Sequence, residues 1–328
     1  MDFGCHLPVF GPIATRDSVL AFARRMEALG YDSLWASDHV ALPHAIRSRY
    51  PYSETGQFPL PADANFLEPL TTLALVAGVT ERVRLGTTIL VLPHRHPVLA
   101  AKMLATLDYL SGGRVILGAG VAKMLATLDH LSGGRVILGV GVGWMREEIE
   151  LLGAPFDGRG AWSDEAIRIM RACWATARAS HHGRFFSFDE VSIAPLPLRR
   201  TIPVWIGGHT PSAFKRVVAL GDGWHAAFPS VEALEKGLAL LREECSRQGR
   251  RFEDLTLSVR AGLSIRSAPA GPDRKPLQGS PEQIVSDLSR YRDLGVHTVL
   301  FETRLRDLED MVGIYEAFAR DIRPRLSA

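Results

Sequence analysis

The 328-residue chain lacks a surplus of charge of either sign, has almost no cysteine, and contains no long uninterrupted apolar run. Lys and Arg number 38 against 36 Asp and Glu, so nothing marks nucleic acid or an anionic membrane surface as a partner. Cys5, Cys173 and Cys245 lie far apart and odd in number, which excludes a disulfide framework and zinc-type spacing and suits a reducing cytoplasm. No stretch approaches 18 apolar residues, so no membrane-spanning helix is expected. Asp2 leads straight into a strand-like run, without the basic start and apolar stretch of a signal peptide. No GxSxG is present for a serine hydrolase. His94 with His96, and His181 with His182, lack carboxylates or cysteines at ligand spacing, so no metal site is read from them.

What is present is alternation. Short apolar runs at residues 2–7, 33–37, 83–91, 114–117, 203–206, 223–227, 255–263 and 298–301 read as strands. Amphipathic stretches at 16–29, 68–79, 97–110, 212–220, 231–248, 281–294 and 308–320 read as helices. Such alternation predicts a parallel sheet covered by helices, and the length fits a (β/α)8 TIM barrel with insertions as one domain over residues 1–328. An open doubly wound sheet is the competing architecture. Residues 184–193 predict an inserted hairpin with its turn near Asp189, and 43–65 a long loop rich in Pro, Ser, Tyr and Gly.

Residues 101–121 (AKMLATLDYLSGGRVILGAGV) recur at 122–142 as AKMLATLDHLSGGRVILGVGV, differing only at Tyr109/His130 and Ala119/Val140. Solenoids need about three or more repeats, so this is a local tandem duplication of one helix–turn–strand unit. A closed barrel couples strand number to diameter. Only one strand of the pair, residues 136–140, is therefore expected in the fourth position, with residues 111–131 displaced outward.

Active sites of such barrels gather at the carboxyl ends of the strands. Asp38 and His39 end the second strand there; an aspartate can accept from an amide or hydroxyl, and a histidine can move a proton near neutral pH. The bland alternative gives Asp38 a turn and His39 a structural hydrogen bond. Gly208, His209 and Thr210 open a helix whose free amides suit a phosphate, although Thr210 and Pro211 also read as an ordinary cap. Gly141 and Gly143 end another strand without a true dinucleotide spacing. Glu147, Glu148 and Glu150 read as a solvated helix start.

Eight segments then fall in a familiar order: WASDHV (35–40), EPLTTLALVAGV (68–79), TERVRLGTTILV (80–91), PHRHPVLAAK (93–102), SGGRVILGVGVGW (132–144), GRFFSFDEVSIAPLP (183–197), PVWIGGHT (203–210) and LGDGW (220–224). Together they resemble the luciferase-like family of flavin and deazaflavin barrels. An Asp-His pair after the second strand resembles its coenzyme F420 branch; FMN-using relatives more often carry a Glu-His-His type sequence. The resemblance implies that Asp38 bonds the deazaflavin, that His39 is the proton-transfer or ring-polarising group, and that Gly141 and Gly143 flank the ring. It also implies that Thr87 and Thr88 lie where the third strand buckles behind the ring, in some members at a non-proline cis peptide. Gly208, His209 and Thr210 would hold the phosphate.

Trp144 stands where deazaflavin-dependent sugar-phosphate dehydrogenases carry a glutamate, which implies an apolar or aromatic substrate. Tyr50, Tyr52 and Phe58 belong to the loop expected to close over it. The implied reaction is hydride transfer between F420 and a small organic molecule. The alternatives are an FMN-dependent monooxygenase using reduced flavin and oxygen, and a barrel that binds ligand or flavin without turnover. A homodimer and a flavin or F420 reductase are the candidate partners.

Deleting residues 101–121 should restore one uninterrupted unit. The shortened chain is expected to unfold at an equal or higher temperature and to keep its cofactor binding; a chain that no longer folds would show that the extra copy has become part of the fold.

Overall fold

A computed structural model describes residues 1–94, 115–116, 138–176, 178–191, 201, 203–303, 305 and 307–326. Parallel strands follow one another around a wall: β1 (Asp2–His6), β2 (Ser33–Ala36), β3 (Arg84–Thr87) with β4 (Leu90–Val91), β6 (Leu138–Gly141), β9 (Val204–Gly207), β10 (Gly223–Ala227), β11 (Thr256–Gly262) and β12 (Thr298–Glu302). β3 pairs with β2, β4 pairs with β6, and only two residues separate β3 from β4. The wall therefore closes through one broken strand into eight positions, the (β/α)8 barrel. Helices α1 (Arg16–Ala28), α2 (Pro69–Ala77), α3 (Arg146–Leu151), α4 (Arg159–Ala175), α5 (Pro211–Leu220), α6 (Val231–Gln248), α7 (Pro281–Asp293) and α8 (Leu308–Ala317) follow in the gaps. Among the described residues none is long and apolar enough to cross a membrane.

Each strand has two unlike faces, because side chains alternate. Phe3, Cys5, Leu34, Leu85, Val204, Ile206, Trp224 and Val299 join the large core shared with the helices. The opposite phase fills the barrel, and there Trp35 and Leu300 form a separate small apolar cluster. Trp35 needs cleared space: a Cβ on Gly4 or Gly86 would lie 2.6 Å from its indole. The indole donates to Ser33 Oγ (2.8 Å) and stacks on His225 at 6.4 Å and 11°. Above it the barrel is polar, with His6, Ser37, Thr88, His225, Ser258, Arg260 and Glu302. A hydrocarbon plug at the bottom thus gives way to hydrogen-bonding groups towards the carboxyl end.

Two expectations are corrected. The fourth position is shared by both copies of the duplication: β5 (Val115–Ile116) from the first pairs with Leu85 and Gly86, while β6 from the second pairs with Leu90 and Val91 and, on its other side, with β9. The two segments use different levels of the broken third strand, so no extra wall position is needed. Val136, Ile137 and the rest of 111–131 lie outside the described residues. The hairpin is β7 (Ala179–His182) with β8 (Ser187–Val191), and it turns at 183–186 instead of near Asp189. Glu165 of α4 fixes that turn by accepting from the amides of Arg184, Phe185 and Phe186.

Gly86→Ala would drive a methyl into the Trp35 ring and should destabilise the protein by about 1–3 kcal/mol. Chemical denaturation checks this, with Gly271→Ala, in a loop where an added Cβ meets nothing within 4 Å, as the near-neutral control.

Candidate active site

The carboxyl end of β2 runs into Ser37, Asp38 and His39, and these three side chains take different directions. Asp38 is buried, and its Oδ2 accepts from the amide of Val91 at 2.8 Å, on the far side of the break in the third strand. It also lies 3.8 Å from Nδ1 of His94, on the short turn after β4. Asp38 thus braces the third strand, the structural role that the residues alone allowed. His39 is half-buried, and its Nδ1 lies 2.7 Å from Glu148 Oε2.

Glu148 was read as part of a solvated helix start, and its placement overturns that. It is fully buried. Its Oε1 accepts from the amides of Val40 (2.5 Å) and Ala41 (3.0 Å), and Oε2 lies 3.4 Å from His94 Nε2. Burial pushes its carboxyl up, but the hydrogen bond with His39, the charges of His39 and His94, and the Ala41 amide outweigh this and hold it below the ordinary value. The sequence does contain a signal. Met145, Glu148, Ile149 and Leu152 have the spacing of one helical face, and Met145 and Ile149 are buried.

Glu147 is likewise engaged, accepting from the amides of Arg47 and Ser48 and from Ser48 Oγ. The start of α3 therefore holds both the strand end and the following loop. That loop brings Phe58 to His39 (5.1 Å between ring centres) and Tyr50 to Trp144 (5.1 Å). Trp144 and Phe66 close the aromatic enclosure at 6.0 and 5.2 Å from His39. Tyr52 lies further out, against Tyr50 and Phe228. The four expected pocket residues are thus near one another, with Tyr52 on the rim.

On the barrel floor Arg260 donates to the Thr88 carbonyl (2.7 Å) and to Ser37 Oγ (3.1 Å), and pairs with buried Glu302. Ser37 Oγ also meets His6 Nε2 at 2.7 Å. Thr88 Oγ1 lies 3.1 Å from His225 Nε2, whose other nitrogen meets Ser258 Oγ. Burial first, then the positive charges of Arg260 and His209, push the His225 imidazole down to about 3, so it is neutral near pH 7. The peptide between Thr88 and Ile89 is cis. Strand alternation places Thr87 on the helix-facing side, away from Thr88 and the floor.

Gly141 and Gly143 give way to protein atoms: a Cβ would lie 1.6 Å from Ile89 at Gly141, and 2.7 Å from Val91 and Ile149 at Gly143. Thr210 caps α5 by accepting from Ala213, and His209 bonds the Ala227 carbonyl, so this loop is anchored beside Gly208 on the same rim.

A parallel barrel with a carboxylate-held histidine and an aromatic enclosure at its carboxyl end is an enzyme architecture of a definite kind. The chain belongs to the luciferase-like monooxygenase family, whose pattern matches residues 1–122 and 119–270. Those two matches divide at the duplication, each containing one copy. An uncharacterized protein of Mycobacterium tuberculosis is 31% identical over 293 residues, covering 88% of this chain and 91% of that one. An F420-dependent glucose-6-phosphate dehydrogenase of Beutenbergia cavernae is 31% identical over 257 residues, 76% of this chain and 65% of its own. Among solved structures, a monooxygenase from Streptomyces bottropensis superimposes with TM-score 0.71 at 20% identity, covering 99% of both chains. An F420-dependent secondary alcohol dehydrogenase does so with 0.70 at 16%, covering 99% of this chain and 98% of that one.

The depressed carboxyl of Glu148 fixes the sign of a pH effect. A group that binds its proton less readily when folded adds stability above its unfolded pKa and loses it as pH falls through the folded value. The stability difference between wild type and Glu148→Gln should therefore shrink as pH drops below about 4.5. Urea unfolding across that range checks it; a gap that widens on acidification would contradict the assignment.

Proposed function

We propose that this protein is an F420-dependent oxidoreductase that moves a hydride between the deazaflavin and a small apolar or aromatic organic substrate. The observation that carries the reading is His39, at a strand's carboxyl end, held on one side by a buried carboxylate and enclosed on the other by Phe58, Phe66 and Trp144. The F420-dependent dehydrogenases among its relatives support the choice of cofactor.

The residues present suit a flat ring with polar edges. Gly207 has room for a side chain, since an added Cβ would make only ordinary contacts at 3.6 Å or more, yet none is there. With half-buried Ile89 beside it, this leaves a flat apolar patch on the floor. Arg260, Ser37 and the Thr88 carbonyl supply polar groups at its margin. When bound, F420 would supply the hydride chemistry. Gly208, His209 and Thr210, at the start of ten-residue α5, suit its phosphate through amides and a hydroxyl. Asp38 and Thr88 act one step back, fixing the third strand and the floor, and the glycines at 141 and 143 let Ile89 and Val91 pack.

His39 would give or take the proton that accompanies hydride transfer at a carbonyl or alcohol carbon. The aromatic enclosure excludes water and favours an apolar substrate, with no carboxylate at position 144 to bind a sugar hydroxyl. An FMN-dependent monooxygenase is the second reading, favoured by the likeness to the Streptomyces bottropensis enzyme.

Titration with F420 and with FMN, followed by fluorescence, should show clear preference for F420; tighter FMN binding would promote the monooxygenase. His39→Ala should lower the thermal midpoint, because it takes a donor from buried Glu148, while turnover of the protein that remains folded falls by roughly 10²-fold or more. Normal turnover in the folded variant would return His39 to a structural role.

A further inference from the structure

Among the described residues Glu148 meets four groups with its two oxygens. Oε1 is committed to the amides of Val40 and Ala41, which can only donate. Oε2 faces His39 Nδ1 at 2.7 Å. A carboxylate offers no proton, so the imidazole nitrogen facing it must carry one. We propose that Glu148 is a positioning residue that locks His39 in the Nδ1–H tautomer, making Nε2 the atom that exchanges a proton with substrate. This deepens the reading above and rests on it for the identity of the reaction, though not for the tautomer.

The surroundings leave little freedom for another arrangement. His39 Nε2 has no hydrogen-bond partner among the described residues, and the rings around it, Phe58, Phe66 and Trp144, carry no charge. Among the described residues the ionisable groups facing this pair are His94, whose Nε2 lies 3.4 Å from Glu148 Oε2, and Asp38 behind it. His94 stands 6.4 Å from His39 between ring centres. Asp38, His94, Glu148 and His39 therefore alternate acid and base from the braced third strand to the substrate side. In the neutral Nδ1–H form, His39 Nε2 accepts a proton from an alcohol undergoing oxidation; in the reverse direction the protonated ring donates from Nε2 to the oxygen of the carbonyl being reduced. Glu148 keeps its charge and gives up no proton in either case.

Glu148→Gln tests the lock with almost no change in shape. An amide has one oxygen, and Val40 and Ala41 both require it. The NH2 group then faces His39 Nδ1 and needs an acceptor there, so the variant should invert the ring to the Nε2–H tautomer. Proton-detected nitrogen NMR of histidine-labelled, cofactor-free protein reads this directly. The expected result is a protonated Nδ1 in the wild type, and a protonated Nε2 with an unchanged fold in Glu148→Gln. Turnover should fall by roughly 10²-fold or more while KM changes far less, the effect of holding a catalytic imidazole in the wrong tautomer. Glu148→Asp should restore part of both. A wild-type ring protonated at Nε2, or an Nδ1–H ring that survives Glu148→Gln, would overturn the proposal. Because the tautomer is read without cofactor, an inverted variant in a protein that ignores F420 would sink the functional reading and leave the lock standing.

Discussion

A single buried carboxylate organises the candidate active site. Placing an ionised glutamate out of reach of water is costly unless donors surround it. Glu148 meets that condition with two amides just past β2 and the imidazoles of His39 and His94. The same contacts draw three separate pieces of chain together: the end of the second strand, the turn after the third, and α3 after the fourth. Glu147, one residue earlier, extends the hold to the loop at Arg47 and Ser48. Truncating the side chain would therefore loosen the enclosure and the histidine together.

Below this clamp the barrel departs from a hydrocarbon core. Most of its apolar burial lies outside the wall, against the helices, while the upper interior holds Arg260 with Glu302 and a run of Ser, Thr and His side chains. Each of these polar groups has partners, as buried polar groups must. The arrangement gives the carboxyl end a fixed set of dipoles, with Trp35 sealing the space beneath. A floor of this kind presents hydrogen-bonding edges without needing to rearrange, the property expected of a preorganised site.

Much of the barrel was legible in the sequence. Its strands are short apolar runs at regular intervals, and α6 falls at the residues its periodicity gave, 231–248. The meeting of His39 with the aromatic loop was also legible as a candidate site, because strand ends and long loops converge at the carboxyl end of a barrel. Three features were not. Thr87 and Thr88 look equivalent as a pair, and only the alternation around Trp35 sends one outward and the other to the floor. Glu148 follows another glutamate at a helix start, a pattern that usually faces water; its burial depends on β2 arriving beside α3. The sharing of the fourth position by two copies cannot be read from near-identical segments, since the choice between them is made by the broken third strand.

In the proposed enzyme the carboxyl-end mouth is the cofactor site and His39 faces the substrate. A crystal structure of the protein with F420 and a small secondary alcohol tests this most directly. The deazaflavin ring is expected on the patch of Ile89 and Gly207, with a polar edge towards Arg260 and the alcohol oxygen at His39 Nε2. A deazaflavin bound elsewhere, or His39 turned so that Glu148 no longer meets Nδ1, would contradict it.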